Sequence, residues 1–303
     1  MITVMGSFVA DLAFRTDKLP QWGETCMGRS FALGPGGKGS NQAVAAARAG
    51  ARVAFIGKVG NDAFGELARL TYRREGIDAQ YLLSSDRPTG AAAIIVDAKT
   101  GENAIIVAPG ACLDLKPEEI DGMKEVIGAS EVFVAQLELS LETVERGLRL
   151  AHGQNVPTIL NPAPARDLPK PIFPLCDYLT PNESETEALT GIRVRSTDDA
   201  ERAADALLEL GVRNVVITLG AQGAFVKNRA RQALIPACDA GPVVETAGAG
   251  DAFTGGFAVA LAEGRDLMDA ARFGCAVAGI SVTRRGTAPS MPHRADVDAL
   301  MRK

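Results

Sequence analysis

The chain has 303 residues, 47% hydrophobic and 23% charged, with 32 basic against 37 acidic side chains and a net charge of −5. At about 150 residues per domain, that length admits two domains or one large α/β domain with a sizeable core. Aromatics at 5%, with no block of basic residues, argue against a nucleic-acid partner, and no apolar stretch nears the roughly 20 residues of a membrane helix.

In chain order, residues 2–8 read as a strand, and no basic leader precedes them, so no signal peptide is expected. Residues 11–33 are irregular and strand-like, and residues 40–49 form an Ala-rich helix that Gly50 closes. A strand at 52–56 precedes a helix at 62–75 ended by Gly76. Residues 90–107 hold two apolar runs around a Lys99-Thr100-Gly101-Glu102-Asn103 turn, a hairpin pattern. A helix at 117–127 starts with Pro117, where the missing N–H does no harm. Strands at 131–135, 158–160, 178–180 and 215–219 alternate with a helix at 141–152 and one from Ser196 to Leu210. Two helices follow, at 251–263 and 267–284. Such alternation predicts βαβ units and a mainly parallel sheet covered on both faces. The segments 11–33 and 90–107 form either a small sheet standing off the main body, as an inserted lid, or edge strands of the main sheet.

The five cysteines are odd in number and widely spaced, which suggests buried thiols in a reducing cytoplasm rather than zinc or disulfides. With only His152 and His293 present, a His metal site or a Ser-His-Asp hydrolase is not expected. The glycine count, 32 of 303, points to tight turns and close backbone approaches.

Four motifs carry chemistry. Gly34-Pro35-Gly36-Gly37-Lys38-Gly39-Ser40-Asn41 precedes a helix. It lacks the preceding strand and later acid of a dinucleotide fingerprint, and the Lys-Ser/Thr pair of a P-loop. It is either a tight loop or a place where backbone N–H groups, Lys38 and Asn41 meet a hydroxylated ligand. Glu245-Thr246-Ala247-Gly248-Ala249-Gly250-Asp251 runs small residues into a carboxylate at a helix start. Free N–H groups there suit phosphate, and an adjacent carboxylate suits a hydroxyl-deprotonating base, the combination phosphoryl transfer needs. In Thr180-Pro181-Asn182-Glu183-Ser184-Glu185, the N-x-x-E spacing fits helix capping or two oxygen ligands for Mg²⁺. Thr218-Leu219-Gly220-Ala221-Gln222-Gly223 ends an apolar strand, where ligand crevices of open α/β sheets lie.

In this order, and with Gln136-Leu137-Glu138, Asn161-Pro162-Ala163-Pro164-Ala165 and Val282-Thr283-Arg284-x-Gly286, the motifs resemble the ribokinase-like (PfkB-type) carbohydrate kinases over essentially the whole chain. The resemblance implies a single domain over residues 1–303: a three-layer α/β/α fold, a mainly parallel central sheet and a small antiparallel β lid. It implies Asp251 as the base and the backbone of Ala249, Gly250 and Asp251 as an anion hole. Val9, Asp11, Gly37, Lys38, Gly39, Asn41 and Glu138 would meet the sugar. Glu185 with Asn182 would place Mg²⁺ and the phosphates, and Asn182, Thr218, Leu219, Gly220, Ala221, Gln222, Gly223 and Cys275 would line the ATP site. A monovalent cation, typically K⁺, would fall on Glu245, Ala247, Ser281, Arg284, Gly286 and Ser290. The implied partners are a small sugar and ATP, D-ribose first, in a cytoplasmic homodimer paired through its lids, with no nucleic acid or membrane.

Two residues depart from that pattern. Such kinases usually carry Asn two residues before the sugar-binding Asp; here Val9 stands there, which either favours 2-deoxyribose or another sugar or nucleoside, or is plain packing. Glu245 stands for the usual Asp at the monovalent cation and predicts altered K⁺ activation. From a different class, the remaining alternative is a non-catalytic sugar-binding regulator.

Overall fold

A computed structural model describes residues 1–100 and 102–302. In chain order the elements are β1 (Ile2–Met5), β2 (Val9–Thr16), β3 (Ser30–Gly36), α1 (Lys38–Arg48), β4 (Val53–Gly60), α2 (Ala63–Glu75) and β5 (Leu82–Ser85). There follow β6 (Thr89–Asp97), β7 (Asn103–Gly110), α3 (Pro117–Asp121), α4 (Lys124–Gly128), β8 (Val132–Ala135), α5 (Leu141–Gly153), β9 (Thr158–Leu160) and β10 (Tyr178–Leu179). The chain ends with α6 (Glu183–Thr190), α7 (Thr197–Glu209), β11 (Asn214–Thr218), β12 (Ala224–Asn228), β13 (Gln232–Ile235), α8 (Ala249–Ala262), α9 (Leu267–Ser281) and α10 (Arg294–Met301).

The main sheet runs in the order β13-β12-β11-β10-β9-β8-β1-β4-β5. It is parallel from β11 to β5, with β12 and β13 added antiparallel at one edge. Alternate residues of each strand point to opposite faces, and here each face has its own apolar core. Ile2, Val4, Val53, Phe55, Val132 and Val134 join α1, α2, α8 and α9 on one side. Met5, Ala54, Ile56, Phe133 and Ala135 join α3, α4, α5 and α7 on the other. The expected three-layer α/β/α architecture is therefore present. Burying each large apolar side chain in these layers contributes about 1.5–3 kcal/mol. Among the described residues no helix is long and apolar enough to cross a membrane.

The second sheet, β3-β2-β6-β7, is separate from the first, so 11–33 and 90–107 are not edge strands of the main sheet. Its bounds are wider than expected: β2 starts at Val9, β3 ends at Gly36, and β6 to β7 span Thr89 to Gly110. The expected antiparallel lid is in fact mixed. β2–β3 and β6–β7 are antiparallel, but the central β2–β6 pair is parallel, Val9 opposite Gly90 through Thr16 opposite Asp97. The reason is topological. β2 continues from β1 and β6 follows β5, both leaving the carboxyl ends of parallel strands, with β3, α1, β4, α2 and β5 as the long crossover parallel pairing needs. Gly101 of the expected turn lies outside the described residues.

Several bounds shift. The strand expected at 2–8 stops at Met5, and the helix expected at 117–127 is two helices, α3 and α4. Gly122 follows α3 as its C-cap, and glycine is a poor helix interior residue. Helix α1 starts at Lys38 with Gly37 as N-cap, and Ala49 rather than Gly50 is its C-cap. Helix α8 starts at Ala249, before Asp251, and α9 ends at Ser281. Gly76 caps α2 as read, in the left-handed conformation, while Asp62, read as its first residue, is its N-cap.

Candidate active site

The loops after β1, β8, β9, β10 and β11 and the N-terminus of α8 converge at the carboxyl edge of the parallel strands, where open α/β sheets bind ligands. Two clefts meet there. A large one of about 740 Å³ runs beneath the second sheet; a small one of about 140 Å³ lies between α6, β11 and α8. Lys38, Gly248 and Asp251 line both.

Asp251 lies in the first turn of α8 and is only 6% exposed. Two amide donors from α1 hold it: Asn41 Nδ2 to Oδ2 at 2.9 Å and Gln42 Nε2 to Oδ1 at 3.0 Å. No side chain caps α8; Gly248, left-handed at φ 78°, opens it. The Ala249 N–H donates to the Thr246 carbonyl at 3.2 Å. That differs from the expected three-residue anion hole: Ala249 is engaged, so Gly250 and Asp251 supply the free N–H groups of the helix start. Lys38 is held above the usual ammonium range, first by attraction to Asp251 and then by Glu138 and Glu185, against its own burial.

On the large-cleft side stand Val9, Asp11, Gly37, Lys38, Asn41 and Glu138. Gly39 lines neither cleft; it is buried where α1 packs on Gly6. Gly37 is needed as glycine, since its φ is +87° and a Cβ would stand 2.8 Å from the Val9 nitrogen. Glu138 accepts from the Lys38 N–H at 2.8 Å and from the Ser7 hydroxyl. Asp11 accepts from the Thr287 hydroxyl at 3.0 Å. Burial pushes the Asp11 carboxyl up to about 6, with Glu138, Asp251 and Glu245 adding repulsion and the Thr287 hydroxyl opposing. An acid whose folded-state pKa is raised binds more protons folded than unfolded, so Asp11 erodes stability as pH rises from 3.8 to about 6. Ser7 and Thr287 lie in no motif. Gln136 and Asn161 lie inside motifs and Gln42 directly follows one, with no role to read from the sequence.

On the small-cleft side, Asn182 caps α6 and Glu185 closes the capping box, its carboxylate accepting from Asn182 N at 2.9 Å and Nδ2 at 3.0 Å. Burial holds the Glu185 carboxyl above its ordinary range. The capping reading is thus observed, while Asn182, Glu185, Thr180, Thr218 and Thr246 also surround the cleft with oxygen donors. That set fits a hard cation that keeps some of its waters. Leu219 is buried, and Gly220, Ala221 and Gln222 form an exposed turn closed by Gly223. Cys275 lines neither cleft: it sits in α9 within the apolar core, its thiol pushed up to about 12 by burial and by Cys238. Cys26 and Cys238 are half-buried rather than buried as read.

The residues expected around a monovalent cation lie on two tied segments. Val244 and Glu245 N–H groups both donate to the Val282 carbonyl, and Glu245 Oε2 accepts from the Gly286 N–H at 3.2 Å. Ser281 and Ser290 hydroxyls donate to the Ala278 and Thr287 carbonyls, and the Arg284 guanidinium pairs with Asp296 at 3.0 Å. A cation there would meet the Glu245 carboxylate and backbone carbonyls, including that of Ala247. Among the described residues no cluster of three His, Cys, Asp or Glu side chains forms a metal site.

Comparison with known proteins bears on the family and the fold. The pfkB family carbohydrate kinase model matches residues 1–294. A ribokinase of Haemophilus influenzae is 39% identical over 97% of this chain and 95% of its own length. A deoxyribokinase of Salmonella typhi is 37% identical over 96% and 95%. An Arabidopsis thaliana ribokinase, solved with ribose and ATP, superposes with a TM-score of 0.94 at 30% identity, covering 100% of this chain and 98% of that one. The fold is ribokinase-like, and the chain belongs to the pfkB family of carbohydrate kinases.

Proposed function

We propose that this chain transfers the γ-phosphoryl group of ATP to the primary hydroxyl of a pentose, D-ribose. The observation that carries the reading is the place of Asp251: a buried carboxylate at the boundary of the two clefts, beside Lys38 and the open N-terminus of α8. The sugar takes the large cleft, held by Asp11, Asn41, Glu138 and the backbone of Gly37 and Lys38. The phosphates take the small cleft, with the nucleotide along Asn182, Thr218 and Gly220 to Gly223. Asp251 receives the hydroxyl proton as oxygen attacks phosphorus, while the Gly250 and Asp251 N–H groups and Lys38 meet the charge growing on the phosphoryl oxygens. Glu185 and Asn182 would hold Mg²⁺, which supplies charge neutralisation at the phosphates when bound. Glu245 with nearby carbonyls would hold K⁺.

Residues 1–303 act as one kinase domain whose second sheet excludes water from the transfer. Phe14 and Phe31, 4.9 Å apart and exposed on that sheet, support pairing of two copies through their lids. Free thiols suit the cytoplasm.

A second reading has its own observation: Val9 is buried at the start of β2, lines the sugar cleft and offers a hydroxyl no hydrogen bond. With a deoxyribokinase among the relatives, 2-deoxyribose is the alternative acceptor. ADP release on adding ATP, Mg²⁺ and each sugar tests both. Turnover of ribose supports the first reading and preference for 2-deoxyribose the second; binding without turnover would leave a regulator. Val9→Asn is expected to raise the ribose to 2-deoxyribose ratio of kcat/KM by about 10-fold, the worth of one hydrogen bond near 1–1.5 kcal/mol. An unmoved ratio sets Val9 aside as packing.

Asp11 adds a pH dependence. Only its ionised form presents two charged acceptor oxygens, since protonation turns one of them into a donor, and its carboxyl titrates at about 6. The sugar KM is therefore expected to rise several-fold as pH falls from 7.5 to 5, with a much flatter profile in Asp11→Asn; equal slopes in both proteins would assign the effect elsewhere.

A further inference from the structure

Gln42, Gln136 and Asn161 are all buried and form a chain of side-chain amides that ends on Asp251. Gln136 Nε2 donates to Gln42 Oε1 at 2.7 Å. Gln42 Nε2 donates to Asn161 Oδ1 at 3.1 Å and to Asp251 Oδ1 at 3.0 Å. Asn161 Nδ2 donates to the Thr180 carbonyl at 2.8 Å. Amides are ambiguous end for end until the network decides, and here one group decides it. A backbone carbonyl only accepts. Thr180 therefore forces the Asn161 N–H toward itself, which turns Asn161 Oδ1 to Gln42. Gln42 must then present Nε2, and both its hydrogens are used, one on Asn161 and one on Asp251. Its Oε1 in turn requires the N–H of Gln136. That polarity leaves Gln136 Oε1 buried without a partner, a cost the reverse orientation would replace with two carbonyl oxygens facing each other.

We propose that Gln42 is a positioning residue for Asp251, locked by the Gln136–Gln42–Asn161–Thr180 chain so that its N–H always faces Oδ1. The inference rests on the reading of Asp251 as the base. A carboxylate offers about four lone-pair sites. Gln42 and Asn41 occupy one on each oxygen, which fixes the rotation of the group and leaves lone pairs for the acceptor hydroxyl. A donor that cannot turn round keeps an N–H, never a carbonyl oxygen, against Oδ1. Other charges bear on Asp251: Lys38 from α1, Asp11 from β2 and Glu185 from α6, with Glu138 and Glu245 behind them. Gln42 bonds none of these side chains, so its removal leaves them in place.

The test is Gln42→Leu, of similar volume, with kcat and both KM values measured across pH. The expected result is kcat down about 10- to 100-fold, sugar and ATP KM within about threefold, and the acid limb of kcat moved up by about one pH unit. Gln136→Met, which does not touch Asp251, removes the N–H that holds Gln42 Oε1 and so loosens the Gln42 amide without reversing it; it is expected to move both readouts the same way by less. A folded Gln42→Leu enzyme with normal kcat and an unmoved acid limb overturns the proposal. If Gln42→Leu does not fold, Gln136→Met decides by the same two readouts. Asp251→Asn run alongside separates the two levels: turnover retained there refutes the base, whereas turnover lost there with Gln42→Leu unaffected refutes only the role of Gln42.

Discussion

Asp251→Asn is expected to lower kcat by about 10³-fold while sugar and ATP binding and the melting temperature stay close to wild type. The size is that of a positioned general base, about 10²–10⁴-fold. Asparagine is the better probe than alanine because of the donors aimed at the site. Alanine would leave the N–H groups of Asn41 and Gln42 buried without acceptors, at about 1–3 kcal/mol each, and would mix stability with chemistry. Asparagine has one acceptor and one donor end. Gln42 cannot turn, because the Thr180 carbonyl sets its orientation through Asn161, so the new carbonyl oxygen must face Gln42. The new NH₂ then faces Asn41. Asn41 has an unpartnered buried oxygen, Oδ1, and end-for-end rotation brings that oxygen to meet it. The fold is kept and the base is lost, while the turned Asn41 offers the sugar an N–H in place of its carbonyl oxygen, which a hydroxyl meets equally well. Steady-state kcat and KM, with a thermal melt, check this. Turnover near wild type would remove Asp251 from proton transfer and with it the central assignment.

What was legible in the sequence divides by range of interaction. The apolar strands β1, β4 and β8 and the helix α2 announce themselves locally, the strands as short, nearly continuous apolar runs and the helix through Gly76 at its end. β12 and β13 are short and belong to the sheet only through antiparallel pairing at its edge. α10 buries only Val297 and has His293 as its N-cap, so neither its periodicity nor its cap stands out. The parallel β2–β6 pair depends on the order of the main sheet, which no local pattern contains. The site follows the same rule. Lys38, Asn41, Glu138 and Asp251 each sit in a motif whose local chemistry is readable, and they do meet in one cleft. The bonds that hold them do not have that property: Gln42 reaches Asp251 across 209 positions, and Thr287 reaches Asp11 across 276. Cys275 is the converse case. Only the family resemblance points to it, with no motif around it, and it lies in the apolar core.

The close approach of two glycines carries the second large effect. A Cβ added to Gly39 would stand 2.6 Å from the Gly6 Cα and 2.8 Å from the Gly6 carbonyl carbon and the Ser7 nitrogen. All three are backbone atoms at the end of β1, so no flexible side chain can yield, and the start of α1 must move away from the sheet. That first turn carries Lys38, Asn41 and Gln42, and the Lys38 N–H grips Glu138. One methyl group therefore displaces residues on both sides of the proposed transfer. Overpacking of this kind costs about 1–3 kcal/mol of stability, and misplacement near 1 Å costs about 10²-fold in rate. Gly39→Ala is expected to melt several degrees lower and to lose about 10²-fold in kcat/KM, with kcat and sugar KM both affected because base and sugar contacts share the helix. Gly122→Ala is the control: its φ is −69°, its nearest contact is the Glu119 carbonyl at 3.5 Å, and it lies outside both clefts. There the same methyl group is expected to leave kcat/KM unchanged and stability equal or higher. If Gly39→Ala matched Gly122→Ala in both measurements, the seat of α1 on β1 would not be what sets the distance between Asn41, Gln42 and Asp251.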